Sequence, residues 1–125
     1  MSYIDGFIIP VLKANRQKFI DYANSADSIF IDVGATRVME CWADDVPDGK
    51  STDFRKAVKA TEDEDVIFSW IEWPDKQTRD AGMAKMMDEN NLDPRLDPKK
   101  NPMPFDGKRM IYGGFSPVIE LKNKD

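Results

Sequence analysis

Glu40 is the residue in this sequence best placed to do chemistry, because it stands between Val38 and Trp42 on one side of an apolar strand. Desolvating a carboxylate without a partner costs several kcal/mol, so such a group is paired, protonated or at a rim. A buried carboxyl has a raised pKa, as a general acid or base near neutral pH requires. The plainer alternative is a salt bridge across a subunit seam, to Arg37, Lys108 or Arg109. Tyr112 is the second catalytic candidate, a hydrogen-bond donor directly before Gly113 and Gly114. That glycine pair either marks a bulge or a close helix contact in the last strand, or opens the backbone to a ligand. Asp5 shares a strand side with Tyr3 and Phe7 and completes the candidate ligand-binding set with Trp42, Trp70, Gly113 and Gly114. Indole rings stack on planar ligands, yet Trp42, Trp70 and Trp73 serve equally well as core or dimer packing.

Composition removes more chemistry than it suggests. The 125 residues include no histidine. This excludes Ser-His-Asp and Cys-His catalysis, His-ligated zinc and a proximal-His haem. No cofactor is expected, and no metal. The acidic runs at Asp44, Asp45 and Asp48 and at 62–65 lack EF-hand spacing and read as solvated turns. The lone Cys41 has no histidine to activate it and cannot form an internal disulfide, which suits a reducing, cytoplasmic setting. A net charge of −5 argues against nucleic acid and against anionic membrane surfaces as partners. The apolar run at 7–12 is too short for a signal or a membrane span.

The elements that must hold these residues follow from periodicity. Residues 3–12 read as a strand. Asn15 suits the N-cap of a helix whose stripe is Phe19, Ala23, Ala26, Phe30 and Val33, with Gly34 as its stop. Residues 35–46 form a second strand and 66–73 a third, with a short extended piece at 54–58 between them. Asp75 caps a second helix running to about Asn90, which Gly82 weakens. Four prolines make 92–104 an extended loop, within a proline-rich connection spanning 92–108. A last strand covers 109–121, with Ile111, Phe115, Ile119 and Leu121 on its more apolar side, toward the helices. Residues 122–125 form a polar tail.

The order βαββαβ over a single domain, 1–125, is an α+β ferredoxin-like pattern: a four-stranded antiparallel sheet with two helices on one face. The strands are apolar on both parities, as Ile4 and Ile8 alternate with Phe7 and Ile9. A half-solvated sheet alternates apolar with polar instead. Two helices cover one face, so the other is buried against a second copy of the chain, or else beneath the proline-rich loop.

The stretches YIDGF at 3–7, ECWADDVPDGK at 40–50, FSWI at 68–71 and MPFDGKRMIYGGF at 103–115 resemble the YbaA-like family of small bacterial proteins, a domain-of-unknown-function family. The resemblance covers nearly the whole chain. It implies the dimeric α+β barrel superfamily, whose members include cofactor-independent monooxygenases, haem-degrading enzymes and isomerases, with cavities beside the sheet or inside the barrel. The absence of histidine departs from the haem-binding branches. The sequence assigns no activity; it points to a cytoplasmic homodimer, a non-catalytic binding or regulatory module with room for a small organic ligand in a cavity by the sheet. The alternative is a cofactor-independent monooxygenase- or isomerase-like enzyme in which Glu40 moves the proton and Tyr112 donates a hydrogen bond.

Overall fold

The computed structural model of the chain describes residues 2–123; positions 124–125 of the expected polar tail, and residue 1, lie outside the described residues. Strand β1 (Tyr3–Leu12) leads through a 3-10 turn into α1 (Arg16–Asp32). Then come β2 (Arg37–Trp42), the one-turn helix α2 (Phe54–Ala57), β3 (Glu64–Trp73), α3 (Lys76–Met86) and β4 (Ile111–Phe115). The strands form one antiparallel sheet in the order β2-β3-β1-β4. This is the ferredoxin-like α+β arrangement the periodicity predicts.

Local chemistry sets the boundaries. Gly34 ends α1 at a φ of 119°, where a side chain would be strained. The Asp75 carboxylate accepts the Thr78 backbone N–H at 2.7 Å and caps α3. Asn15 stands at the start of α1 without capping it, and its amide donates to the Pro104 carbonyl at 3.4 Å instead. Gly82 lies buried where α3 crosses the sheet: a Cβ there would come within 3.0 Å of both Trp73 and Val33. The residue that weakens α3 in isolation is therefore what allows its close approach.

Pairing separates the sheet into two faces. The inner face, under α1 and α3, carries Asp5, Phe7, Ile9 and Val11 of β1, Val38, Glu40 and Trp42 of β2, and Ile67, Ser69, Ile71 and Trp73 of β3. The outer face carries Ile4 and Ile8, Met39 and Cys41, Phe68 and Trp70.

Four expectations are corrected. β4 stops at Phe115 instead of 121, and its sides are reversed. Tyr112 pairs with Phe7 on the inner side, whereas Ile111 and Phe115 pair with Ile8 and Ile4 on the outer side. Register against β1 decides the parity, and apolarity cannot when both faces are apolar. Residues 54–57 form a helical turn, not an extended piece, because Asp53 accepts the Lys56 backbone N–H at 2.6 Å. The proline-rich connection is not wholly extended: Glu89–Asn91 and Pro94–Leu96 are 3-10 turns, the second begun by a proline at its first position.

That connection folds onto α1. Arg95 donates to Ser28 Oγ and to Asp32, each at 2.9 Å, and the Phe105 ring sits 6.0 Å from those of Phe19 and Tyr22. It therefore covers the helix side and leaves the outer face open. Phe68 and Phe115 remain 47% and 62% exposed there. The chain presents 8908 Å² of solvent-accessible surface. A compact monomer of 14.3 kDa presents about 6,800 Å².

The far end of the connection is clamped by Arg109. Its guanidinium meets the buried Glu64 carboxylate in a two-pronged contact, 2.7 Å on each oxygen, and Thr61 N–H adds a third donor at 2.8 Å. The Arg109 hydrogen bonds hold the Glu64 carboxyl down to about 2, against the opposing effect of burial. Folding thus favours the ionised form. The contribution is complete above the ordinary value of 4.5 and is lost as pH falls toward 2. We expect Glu64→Gln to cost about 2 kcal/mol at pH 7, with wild type and variant converging as pH approaches 2; denaturant titrations across that range check it.

Candidate functional site

Asp27 and Glu40 meet between α1 and the sheet. Asp27 lies one turn beyond Ala23 on the helix, and Glu40 projects from the inner face of β2 opposite Ser69. Together they line the cleft between α1 and β2, about 560 Å³ in volume. A smaller hollow of about 170 Å³ also reaches both carboxyl groups and is bounded by Tyr22, Phe105 and Met110.

Burial, followed by the hydrogen bond and the negative charge of Glu40, lifts the Asp27 carboxyl from 3.8 to about 9. Two carboxylates this close in a desolvated site cannot both ionise. Glu40 Oε1 is buried and meets no N–H or O–H donor among the described residues. The proton retained on Asp27 supplies the donor that the Glu40 carboxyl group lacks. Tyr22 is pushed up as well, by burial first and then by Asp27 and Glu40, so its hydroxyl stays neutral. The site therefore presents a protonated carboxyl and an acceptor carboxylate side by side, near a phenol and inside largely apolar walls. That is the equipment for donating and accepting a proton at one place.

The cleft mouth has a different character. The Arg16 guanidinium lies over the Trp42 ring, 5.6 Å from its centroid, and the Trp42 indole N–H is anchored on Asp65 at 2.8 Å. Ile20 and Ile31 add exposed apolar surface beside it.

Of the residues singled out from sequence, Glu40 and Trp42 share this cleft. The others lie elsewhere. Asp5 is buried and saturated, accepting Trp73 Nε1 at 2.9 Å and Arg79 at 3.1 and 2.8 Å. Tyr112 sits on β4, at the sheet edge opposite β2, stacked on Phe7 with 6.2 Å between ring centroids. Trp70 lies on the outer face with its N–H on Glu72 at 2.8 Å. Gly113 also faces outward, while Gly114 lies under the Tyr3 ring, where a Cβ would collide with the hydroxyl oxygen. β4 pairs with β1 without interruption through both glycines, so neither is a bulge, and the close contact is at Gly114 alone. Arg109 and Arg37 pair with Glu64 and Glu72, leaving Glu40 without either. Cys41 is half-buried on the outer face. Asp27 and Tyr22 join the site from α1; the spacing of four from Phe19 to Ala23 to Asp27 is the signal that could have found the acid.

Among the described residues, no group of three or more Cys, Asp or Glu side chains is placed to hold a metal ion. No described helix is long and apolar enough to cross a membrane.

Comparison with known proteins supplies the context. The chain is 52% identical over 120 residues to the uncharacterized protein YbaA of Escherichia coli K12, covering 96% of this chain and 99% of that protein. The YbaA protein of Shigella flexneri matches to the same extent. A solved structure, that of a dimeric ferredoxin-like protein from an uncultured marine organism, superposes with a TM-score of 0.59 at 10% identity, over 97% of this chain and 100% of that one. At that identity the likeness shows the fold alone. The model of the family described as protein of unknown function (DUF1428) matches residues 2–107, and the chain belongs to that family.

Proposed function

We propose that the protein is a cytoplasmic homodimer that binds a small organic molecule in the cleft between α1 and β2, where Asp27 and Glu40 offer it one proton donor and one acceptor. The observation that carries this reading is the Asp27–Glu40 carboxyl pair, hydrogen-bonded side chain to side chain and lining a cleft of about 560 Å³. Two acidic groups held together in a largely apolar cleft cost stability, and retaining them at a cavity wall is what a binding site requires. The volume falls within the range of small-molecule pockets. The homodimer is supported by the open apolar outer face, by the surplus surface over a compact monomer, and by the dimeric state of the ferredoxin-like neighbour. The lone thiol of Cys41 supports the cytoplasmic setting.

A second reading, a cofactor-independent isomerase, is favoured over a monooxygenase by the one-proton pair. Moving a proton between two positions of a bound carbonyl compound needs an acid and a base together and no oxidant. Glu40 is the base in that reading and Asp27 the acid, in the role assigned to Tyr112 from sequence.

A thermal-shift screen with small carbonyl compounds and organic acids tests the cleft. A true ligand at a hundredfold excess over Kd raises Tm by on the order of 5–10 °C in wild type. The shift should shrink to a degree or so, roughly, in Glu40→Gln. A ligand that stabilises both proteins equally binds elsewhere, and a broad library without a hit removes the proposal's support.

A further inference from the structure

Beyond β4 the chain keeps the composition of a strand and loses its partner. Residues 116–121 read Ser-Pro-Val-Ile-Glu-Leu. Val118, Ile119 and Leu121 are 94%, 77% and 91% exposed. Isolated apolar residues on a surface are ordinary, but three within four positions, beside an open apolar sheet face, are not. Pro117 favours an extended backbone and, with Phe115, borders the same outer-face hollow as Ile4 and Trp70. The arm is thus continuous with the uncovered face. Within one copy it forms no strand.

We propose that residues 116–121 form an exchanged arm that packs Val118, Ile119 and Leu121 onto the outer sheet face of a second copy of this chain. The proposal rests on the homodimer of the preceding subsection and says how it is latched. The area agrees: the chain exposes about 2,000 Å² more than a compact monomer of its mass, whereas a standard interface covers about 800 Å² per partner. Two-fold symmetry makes the exchange reciprocal, so each sheet face receives the arm of the other copy. The break at Phe115 follows as well, since the strand-forming residues beyond it find their contacts only in the dimer.

The test uses the full chain. Ile119→Asp with Leu121→Asp, on residues solvent-exposed in one copy, leaves the fold of that copy intact, which circular dichroism verifies. Sedimentation equilibrium should then show the dimer Kd raised by at least about 100-fold. In a dimer mixed from isotope-labelled and unlabelled chains, NMR should show contacts from the Ile119 and Leu121 methyls of one copy to the Phe68 or Trp70 ring of the other. A wild-type dimer whose Kd ignores both substitutions, or whose arm contacts only its own copy, overturns the arm and leaves the dimer standing. A wild-type protein monomeric at micromolar concentration overturns both.

Discussion

Phe68→Asp is expected to convert the proposed dimer of 14.3 kDa chains into a folded monomer. Phe68 lies near the centre of the outer face, its ring 5.5 Å from that of Trp70 and 6.1 Å from that of Phe54. In one copy the side chain is already 47% exposed, so aspartate there keeps its water and the single chain loses little stability. In the dimer the same carboxylate would be trapped against an apolar partner, and an unpaired buried charge costs several kcal/mol. Symmetry places two such charges in one interface. A total of about 6 kcal/mol corresponds to a rise in Kd of roughly 10⁴-fold. Sedimentation equilibrium at micromolar concentration reads the difference directly. A variant that associates as tightly as wild type would mean that copies meet elsewhere or not at all.

The second large effect concerns Asp27. Its carboxyl is protonated in the folded protein well above the ordinary 3.8. In the unfolded chain it ionises near that ordinary value. Below about pH 4 both states hold the proton, and the site imposes no cost. As pH rises through neutrality toward 9 the unfolded state gains its charge while the folded state resists, so stability falls across that window. A tenfold difference in proton affinity between the two states is worth about 1.4 kcal/mol, so even a hundredfold difference costs about 3 kcal/mol at pH 8. Asp27→Asn replaces the retained proton with a permanent N–H donor toward Glu40. It should raise stability at pH 8 by about 3 kcal/mol and flatten the decline between pH 4 and 9. The same variant should bind ligand without being able to release a proton. A substitution that stabilises the fold and abolishes the proposed proton exchange marks a site held at the expense of stability. Urea titrations at pH 5 and pH 8 measure the first part. A variant less stable than wild type at pH 8 would contradict it.

Much of the architecture is legible in the sequence, for identifiable reasons. Alternation in β1 and β3 is apolar on both sides, and that observation alone points to a face needing cover. Val38, Glu40 and Trp42 share one side, as alternation predicts, because β2 runs straight through them without a bulge. The sides of β4 come out reversed for the same reason that a dimer is inferred: with both faces apolar, hydrophobicity carries no direction, and only the pairing of Tyr112 with Phe7 fixes it. The strand signal at 116–121 is real as composition, but pairing is a property of partners, and one copy offers none.

The site is half legible. A carboxylate between Val38 and Trp42 is conspicuous, whereas Asp27 lies on a helix flanked by Asn24, Ser25 and Ser28, where a polar residue suggests solvent. Its burial depends on the rotation of α1 against β2 and on Phe105, supplied by a connection some eighty residues away in the chain. Asp5 shows the converse. It is as buried as any active-site acid, yet Arg79 from α3 and the Trp73 indole occupy both its oxygens, and no strand pattern could reveal that.

The proton on Asp27 is the point on which the proposed chemistry depends. A carbon-13 NMR titration of the aspartate side-chain carboxyls, assigned by comparison with Asp27→Asn, observes it directly. One resonance is expected to stay at its protonated position through pH 7, to move only in the alkaline range, and to titrate closer to the ordinary range in Glu40→Gln. An Asp27 resonance that titrates near pH 4 in the folded protein would contradict the shared-proton pair.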